Sequence, residues 1–349
     1  MRTRQTSTTG VRDTLGHDAG IPRRTERIDV TTLRAPRVGA LVAATCGLGG
    51  AALSWSLVEA RWYVLRQVEV PVLAPGQAQL RVLHLSDLHL TPRSTRLADW
   101  VRDLDGLDPH LVVSTGDSWT SAETLPVVER ALEPHLARPG AFVFGSNDYQ
   151  APRLKNPLRY LRADPRDRPA GEVVALPWHD LRDRFTAAGW ADLTNTRATL
   201  DVDGRRLAFV GTDDAHLNLD VMPQERTDTP DNRVPEVGPD VDLYLGVTHA
   251  PYRRVLDAFH ADGVDLALAG HTHGGQLAVP GYGALTTNCD LDTHRAKGLH
   301  GWPGPRPDAR GGAGSTWLHV SAGLGTSPYT PVRFACRPEA TLLRLVAAP

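Results

Sequence analysis

From Leu80 onward the chain alternates short apolar runs with amphipathic stretches. Leu80–Leu85, Leu111–Ser114, Ala141–Phe144, Leu243–Val247 and Val264–Ala269 are compact runs rich in Leu, Val and Ala, bounded by polar or turn-forming residues. Such runs predict buried strands. Between them Leu97–Leu104, Ala122–Leu136, His179–Gly189 and Arg253–His260 repeat their apolar residues at helical intervals, which predicts helices with one buried face. Thr196–Val202 and Arg206–Gly211 flank Asp203-Gly204, a strong hairpin signal. Ser315–Ser321, Arg333–Cys336 and Ala340–Val346 read as further strands. Strands alternating with helices predict a layered α/β domain. Pro152–Pro177 and Asp220–Pro239, polar and proline-containing, read as long surface loops.

The first eighty residues follow a different pattern. Residues 1–37 are polar and aperiodic, as in a disordered tail, and Arg23, Arg24, Arg27, Arg34 and Arg37 make its end basic. Val38–Val58 holds no charged residue, and a helix of that length is about one hydrocarbon thickness. A single membrane anchor is the favoured reading. An export signal and a helix packed on protein are the alternatives; no good small-x-small cleavage site stands out. Trp55, Trp62 and Tyr63 lie where an aromatic belt would. The five arginines before the segment outnumber Arg61 and Arg66 after it. By the positive-inside rule the tail is then cytoplasmic and the main domain extracytoplasmic, making a single-pass protein of the cell membrane. Residues 61–79, with Pro71, Pro75 and Gly76, read as a linker with at most one edge strand. The expected organisation is a tail over 1–37, an anchor or export signal over 38–60, a linker over 61–79 and one domain over 80–349.

Composition narrows the function classes only slightly. Charged residues make up 22% and the net charge is −2, so no basic bias argues for nucleic acid. Three cysteines, Cys46, Cys289 and Cys336, form no Cys-x-x-Cys spacing for zinc. Cys289 and Cys336 are more simply read as buried thiols than as a disulfide. No protein partner is inferable.

The chemistry concentrates at strand ends. Val264–Ala269 runs into Gly270-His271-Thr272-His273-Gly274-Gly275-Gln276. In extended backbone, residues two apart point the same way, so His271 and His273 are expected to project together. Asp87 and His89 repeat that spacing after Leu80–Leu85; Gly116-Asp117, Gly145-Ser146-Asn147-Asp148 and His249 follow other strands. In open α/β sheets, sites form at the carboxyl ends of strands. Two carboxylates, one amide and four imidazoles suit Zn, Mn or Fe rather than Ca or Mg. Seven such groups exceed one tetrahedral ion, whereas two ions sharing a carboxylate fit, and such a pair would clamp a phosphate and activate water.

The ordered set Asp87-x-His89, Gly116-Asp117, Gly145-Ser146-Asn147-Asp148, His249 and Gly270-His271-Thr272-His273 resembles the calcineurin-like metallophosphoesterase superfamily. Gly270 to Gln276, with Gly323-Leu324-Gly325-Thr326-Ser327 and Arg333-Phe334, is similar to its bacterial membrane-associated phosphodiesterase branch. The resemblance covers roughly residues 80–346. It implies a two-sheet β-sandwich flanked by helices, a four-layer αββα fold, here preceded by one hydrophobic helix. It also implies that Asp87, His89 and His273 hold one metal, that Asn147, His249 and His271 hold the other, and that Asp117 bridges them. The family usually reads Gly-Asn-His-Asp where this chain reads Gly145-Ser146-Asn147-Asp148. Two registers fit. In the favoured one Asn147 keeps the ligand role and Asp148 takes the histidine's place; in the other Ser146 replaces the ligand. Either way the usual histidine is missing, and Asp148 or His216 is the candidate proton donor. His216 equally fits a plain surface loop.

The expected activity is hydrolysis of a phosphodiester, phosphomonoester or pyrophosphate by metal-activated water. A phospholipid or lipid-linked nucleotide is the substrate that a membrane anchor suggests. A nuclease with the same core would need a basic groove, and a non-catalytic metal-stabilised interaction domain would be expected to have lost several ligands.

Overall fold

The computed structural model describes residues 35–154, 173–224 and 240–349. Most of the tail expected over 1–37, and large parts of both long loops, lie outside the described residues. The chain divides into two compact units, Met1–Leu48 and Gly49–Pro349. The first helix, α1 (Ala35–Glu59), begins in one and ends in the other. Its stretch Gly39–Glu59 is long and apolar enough to cross a membrane.

The second unit is built on two six-stranded mixed sheets. In chain order its elements are β1 (Val64–Leu73), β2 (Leu80–Leu85), α2 (Thr95–Asp103), β3 (Leu111–Ser114), α3 (Leu125–Leu132), β4 (Gly140–Phe142), α4 (Ser146–Tyr149), α5 (Trp178–Ala187), β5 (Ala191–Asp192), β6 (Thr196–Val202), β7 (Arg205–Gly211), β8 (Leu243–Val247), α6 (Arg253–Ala261), β9 (Leu266–Ala269), β10 (Ala278–Val279), β11 (Gly283–Ala284), β12 (Gly298–Trp302), β13 (Thr316–Val320) and β14 (Glu339–Ala347). One sheet runs β1-β14-β2-β3-β4-β5 and the other β12-β13-β9-β8-β7-β6. Strands β2 to β5 are mutually parallel, as are β7, β8, β9 and β13.

The apolar patterning explains the layers. Along β2, Leu80 and Val82 join a core between the sheets with Leu207, Leu245, Leu266 and Leu343, while Leu83 and Leu85 face the opposite way, into a cluster with residues of α2, α3 and α5. Residues of β7, β8 and β13 pack similarly against α6. The result is the expected αββα sandwich with flanking helices. Strands covered on both faces read as continuous apolar runs, which is why these were legible.

Two expectations change. Residues 61–79 are not chiefly a linker: β1 is a ten-residue edge strand, parallel to β14, so the folded domain begins well before Leu80. Pro71 is tolerated because an edge strand leaves one side unpaired. Arg333–Cys336 forms no strand; Phe334 makes only an isolated bridge to Leu277, and Ala335 sits in the left-handed region at φ 52°.

Candidate metal centre

Loops at the carboxyl ends of β2, β3, β4, β7, β8 and β9 meet at one place. Asp87 is fully buried. Its Oδ2 accepts from Ser86 Oγ at 2.5 Å and from the His271 N–H at 3.0 Å. Its Oδ1 is buried with no hydrogen-bond partner, and lies 3.5 Å from His273 Nε2 and 4.0 Å from His89 Nε2. Asp117 Oδ2 lies 3.4 Å from His89 Nε2 and 3.6 Å from His249 Nε2. His89 Nε2 and His273 Nε2 are 3.1 Å apart, and His271 Nδ1 is 3.3 Å from His249 Nε2. Asp87, His89 and His273 thus form one cluster able to hold a cation, and Asp87, Asp117 and His249 a second that shares Asp87. An orphaned carboxylate oxygen among converging imidazole nitrogens, in a buried site, is the donor chemistry of a transition-metal centre.

Neighbouring groups aim several of these side chains. His249 Nδ1–H donates to Thr115 O at 2.7 Å, which leaves Nε2 facing the centre. His271 Nε2–H donates to Asn288 O at 3.1 Å, leaving Nδ1 inward. Arg333, fully buried, donates from Nη2 to Gly325 O at 2.7 Å and to Gly323 O at 3.1 Å, with the His273 ring against it, Nδ1 3.1 Å away. It fastens the loop after β13 to the loop that carries His273. Close approach demands glycine at two points. A Cβ on Gly270 would collide with Ser86 Oγ, and one on Gly145 would come within 2.6 Å of the His249 ring.

The route by which the ligand candidates converge differs from strand alternation. Asp87, His89, Asp117, His271 and His273 all adopt positive φ, between 41° and 67°. Non-glycine residues seldom do so, and such backbone concentrates at functional sites. His271 and His273 therefore do not project side by side from extended backbone. They turn to opposite parts of the centre, His271 to His249 and His273 to His89.

Asn147 brings its amide to Asp117: its backbone N–H donates to Asp117 Oδ1 and its Nδ2 to Oδ2, each at 2.7 Å. Ser146 lines the adjoining cavity. Asp148 is completely buried, and its carboxylate accepts from the backbone N–H groups of Asp117 (2.7 Å), Ser118 (2.8 Å) and Gly145 (2.9 Å). It ties the β3 and β4 loops together and is not among the residues that line the cavity. The proton-donor role expected of it does not fit this placement, because both oxygens are committed to backbone. His216 does line the cavity, its ring 4.6 Å from that of His271 and its Nδ1 3.0 Å from Tyr252 Oη. Asn288, Thr115 and the buried role of Arg333 were missed in the sequence. No local pattern marks them, although Arg333 stands in a motif carried by the resemblance.

Electrostatics agree with a cation site. Burial disfavours protonation of His249, yet the Asp117, Asp87 and Asp214 carboxylates outweigh it and lift the imidazole to about 9. Burial would raise Asp117, but His249, His89 and the Asn147 hydrogen bonds hold it well below the usual carboxylate range. Burial and the Asp117 charge raise Asp148 to about 7. The centre opens into a cavity of about 330 Å³, lined by His89, Asp117, Asn147, Arg153, His216 and His273 together with the apolar Leu277 and Leu285.

Fold and site together define an αββα sandwich protein with a candidate metal centre at its strand ends. The family model for calcineurin-like phosphoesterases matches residues 80–275. The chain belongs to that family. It is 24% identical over 267 residues to the uncharacterised protein YpbG of Bacillus subtilis, covering 76% of this chain and 84% of that one. It is 28% identical over 291 residues to a bovine transmembrane protein with metallophosphoesterase domain, covering 81% of this chain but only 57% of the bovine protein. Among solved structures, TT1561 of Thermus thermophilus aligns over 71% of this chain and 91% of its own, at 12% identity and a TM-score of 0.36.

Proposed function

We propose that this protein is a membrane-anchored, metal-dependent phosphoester hydrolase. The observation that carries the reading is Asp117, one buried carboxylate oxygen set 3.4 Å from His89 Nε2 and 3.6 Å from His249 Nε2. A shared carboxylate between two sets of imidazoles is the layout of a two-ion site. In this reading Asp87, His89 and His273 hold one ion, Asn147, His249 and His271 hold the other, and Asp117 serves both. Divalent ions bound there, Mn, Zn or Fe, would supply Lewis-acid polarisation of the phosphoryl group and acidify a water.

The chain's own residues do the rest. Arg153, in the cavity wall, pairs with the phosphate's charge. His216, in the same wall, holds a proton for the leaving oxygen, the part the missing family histidine would play. Asp148 positions Asp117 and Gly145 from behind. A phosphodiester, phosphomonoester or pyrophosphate satisfies this arrangement. The helix Gly39–Glu59, apolar enough to span a bilayer, supports anchoring and with it a lipid-borne substrate; the excess of arginines before it over Arg61 and Arg66 after it favours an extracytoplasmic domain.

The test is turnover of bis-p-nitrophenyl phosphate by the full chain in detergent, metal-stripped and then refilled with Mn or Zn, beside Asp117→Asn. Metal-restored turnover that the variant loses supports the reading. Absence of turnover with two equivalents of metal bound would sink it and favour a metal-stabilised binding domain.

A further inference from the structure

The stretch Gly274–Cys289 contains no charge. Within it β10 and β11 form a small hairpin, register Ala278 to Ala284 and Val279 to Gly283. Its large apolar side chains are out in solvent. Leu277, Val279, Tyr282 and Leu285 are between 42% and 71% exposed. Leu277 and Leu285 also line the cavity over the centre. Tyr329, 53% exposed, lies between Ser327 and Thr330 of the same wall. An apolar collar at the mouth of the cleft over the candidate metal centre calls for an apolar partner.

The hairpin is wired to the last turns of α1. Within the second unit, the Arg333 N–H donates to Ser56 O at 3.0 Å. The Glu59 carboxylate accepts from Ala335 N–H at 3.0 Å and Cys336 N–H at 2.7 Å. The same short loop pairs with the hairpin's base: Phe334 N–H donates to Gln276 O at 3.1 Å, and Ala278 N–H to Phe334 O at 2.8 Å. One short loop, Arg333–Cys336, therefore joins the end of a membrane-length helix to an exposed apolar hairpin. Trp55 and Trp62, partly exposed and edge-to-face at 6.0 Å, mark the helix end as an interfacial level. Arg337 covers the Trp62 ring at 4.1 Å, a cation placed where lipid phosphates lie.

We infer that hairpin 277–285 seats in the surface of the lipid bilayer, so that the cleft opens onto the membrane and takes phosphoesters whose apolar part stays there. This rests on the anchoring proposed above. The partner is a lipid surface rather than a protein because the tether fixes the hairpin's base beside the last turn of α1, the end of a membrane-length apolar helix.

The test uses the full chain carrying Cys46→Ala and Tyr282→Cys, labelled with the fluorophore NBD. It is reconstituted in phosphatidylethanolamine–phosphatidylglycerol vesicles with or without 5-doxyl phosphatidylcholine. The reference label is Asp201→Cys, on β6 opposite Arg206 at the end of the sheet away from the centre. Several-fold stronger quenching at 282 than at 201, reduced when Val279→Asp is added, is the expected result. Equal quenching at the two sites overturns the inference, and so does quenching at 282 that Val279→Asp leaves untouched. Vesicle flotation reads the anchoring separately, and bis-p-nitrophenyl phosphate turnover by the same labelled chains reads the hydrolase. Turnover without quenching removes the bilayer seat alone; quenching without turnover removes the enzyme alone.

Discussion

Asp148→Asn separates two roles that the sequence could not tell apart. If Asp148 fastens loops, its loss is felt in stability. The carboxylate accepts three backbone N–H bonds, from Asp117, Ser118 and Gly145. Above about pH 7, where Asp148 is ionised, hydrogen bonds to this charged acceptor contribute about 1.5–3 kcal/mol each. An asparagine can turn its one oxygen to the Oδ2 position and keep the Asp117 and Gly145 bonds in weaker, neutral form. Its NH2 then faces the Ser118 N–H, donor against donor, in a buried site. The net cost is about 3–4 kcal/mol. For a chain of this size that corresponds to a fall in Tm of about 5 °C, measured by thermal unfolding. Turnover should drop about 10–100-fold through the displaced Asp117, as when a ligand's supporting partner is lost, with the shape of the pH–rate profile unchanged. If Asp148 were instead the proton donor, Tm would move little, turnover would fall about 10²–10⁴-fold and the basic limb of the profile would vanish. That pattern refutes the fastening role.

Asp117→Asn should cost at least about 10²-fold in turnover and reduce bound metal, read by elemental analysis of the dialysed protein. Arg333→Lys cannot span the Gly323 and Gly325 carbonyls and the His273 ring together, so metal affinity should weaken about 10–100-fold by titration calorimetry; unchanged affinity would remove Arg333 as a positioning residue. His84 and His319 meet between the sheets at 2.9 Å, one ring nitrogen donating and the other accepting, and burial lowers His84 to about 3. Its neutral form therefore contributes stability that is complete above the unfolded value near 6.5 and is lost as pH falls toward 3. Denaturant unfolding should lose about 1.4 kcal/mol per pH unit from this residue below pH 6, and His84→Asn should flatten the slope by that amount.

Much of this architecture is carried by local pattern. Strands such as Leu243–Val247 and Leu266–Ala269 are covered on both faces, so their sequence is continuously apolar and their identity needs no knowledge of neighbours. The candidate ligands follow such strands directly, so their positions at the sheet ends were legible too. His84 was legible as a core residue because its parity along the chain opposes that of Asp87 and His89. Strand β1 was legible only as one edge strand within a linker, because an edge strand carries polar residues and a proline that read equally well as linker.

What the sequence by itself determined is the alternation of strands and helices, the membrane-length apolar helix and the set of candidate ligand side chains. Only the tertiary structure decided how those side chains meet. Five of them converge through left-handed backbone, which costs energy alone and persists because surrounding loops over-determine it. Asp148 became a fastener, His216 a cavity-wall residue and Arg333 a buried clamp through contacts with residues distant in the chain. Those contacts have no period and no spacing to read, because they are set by how loops from two sheets pack against one another.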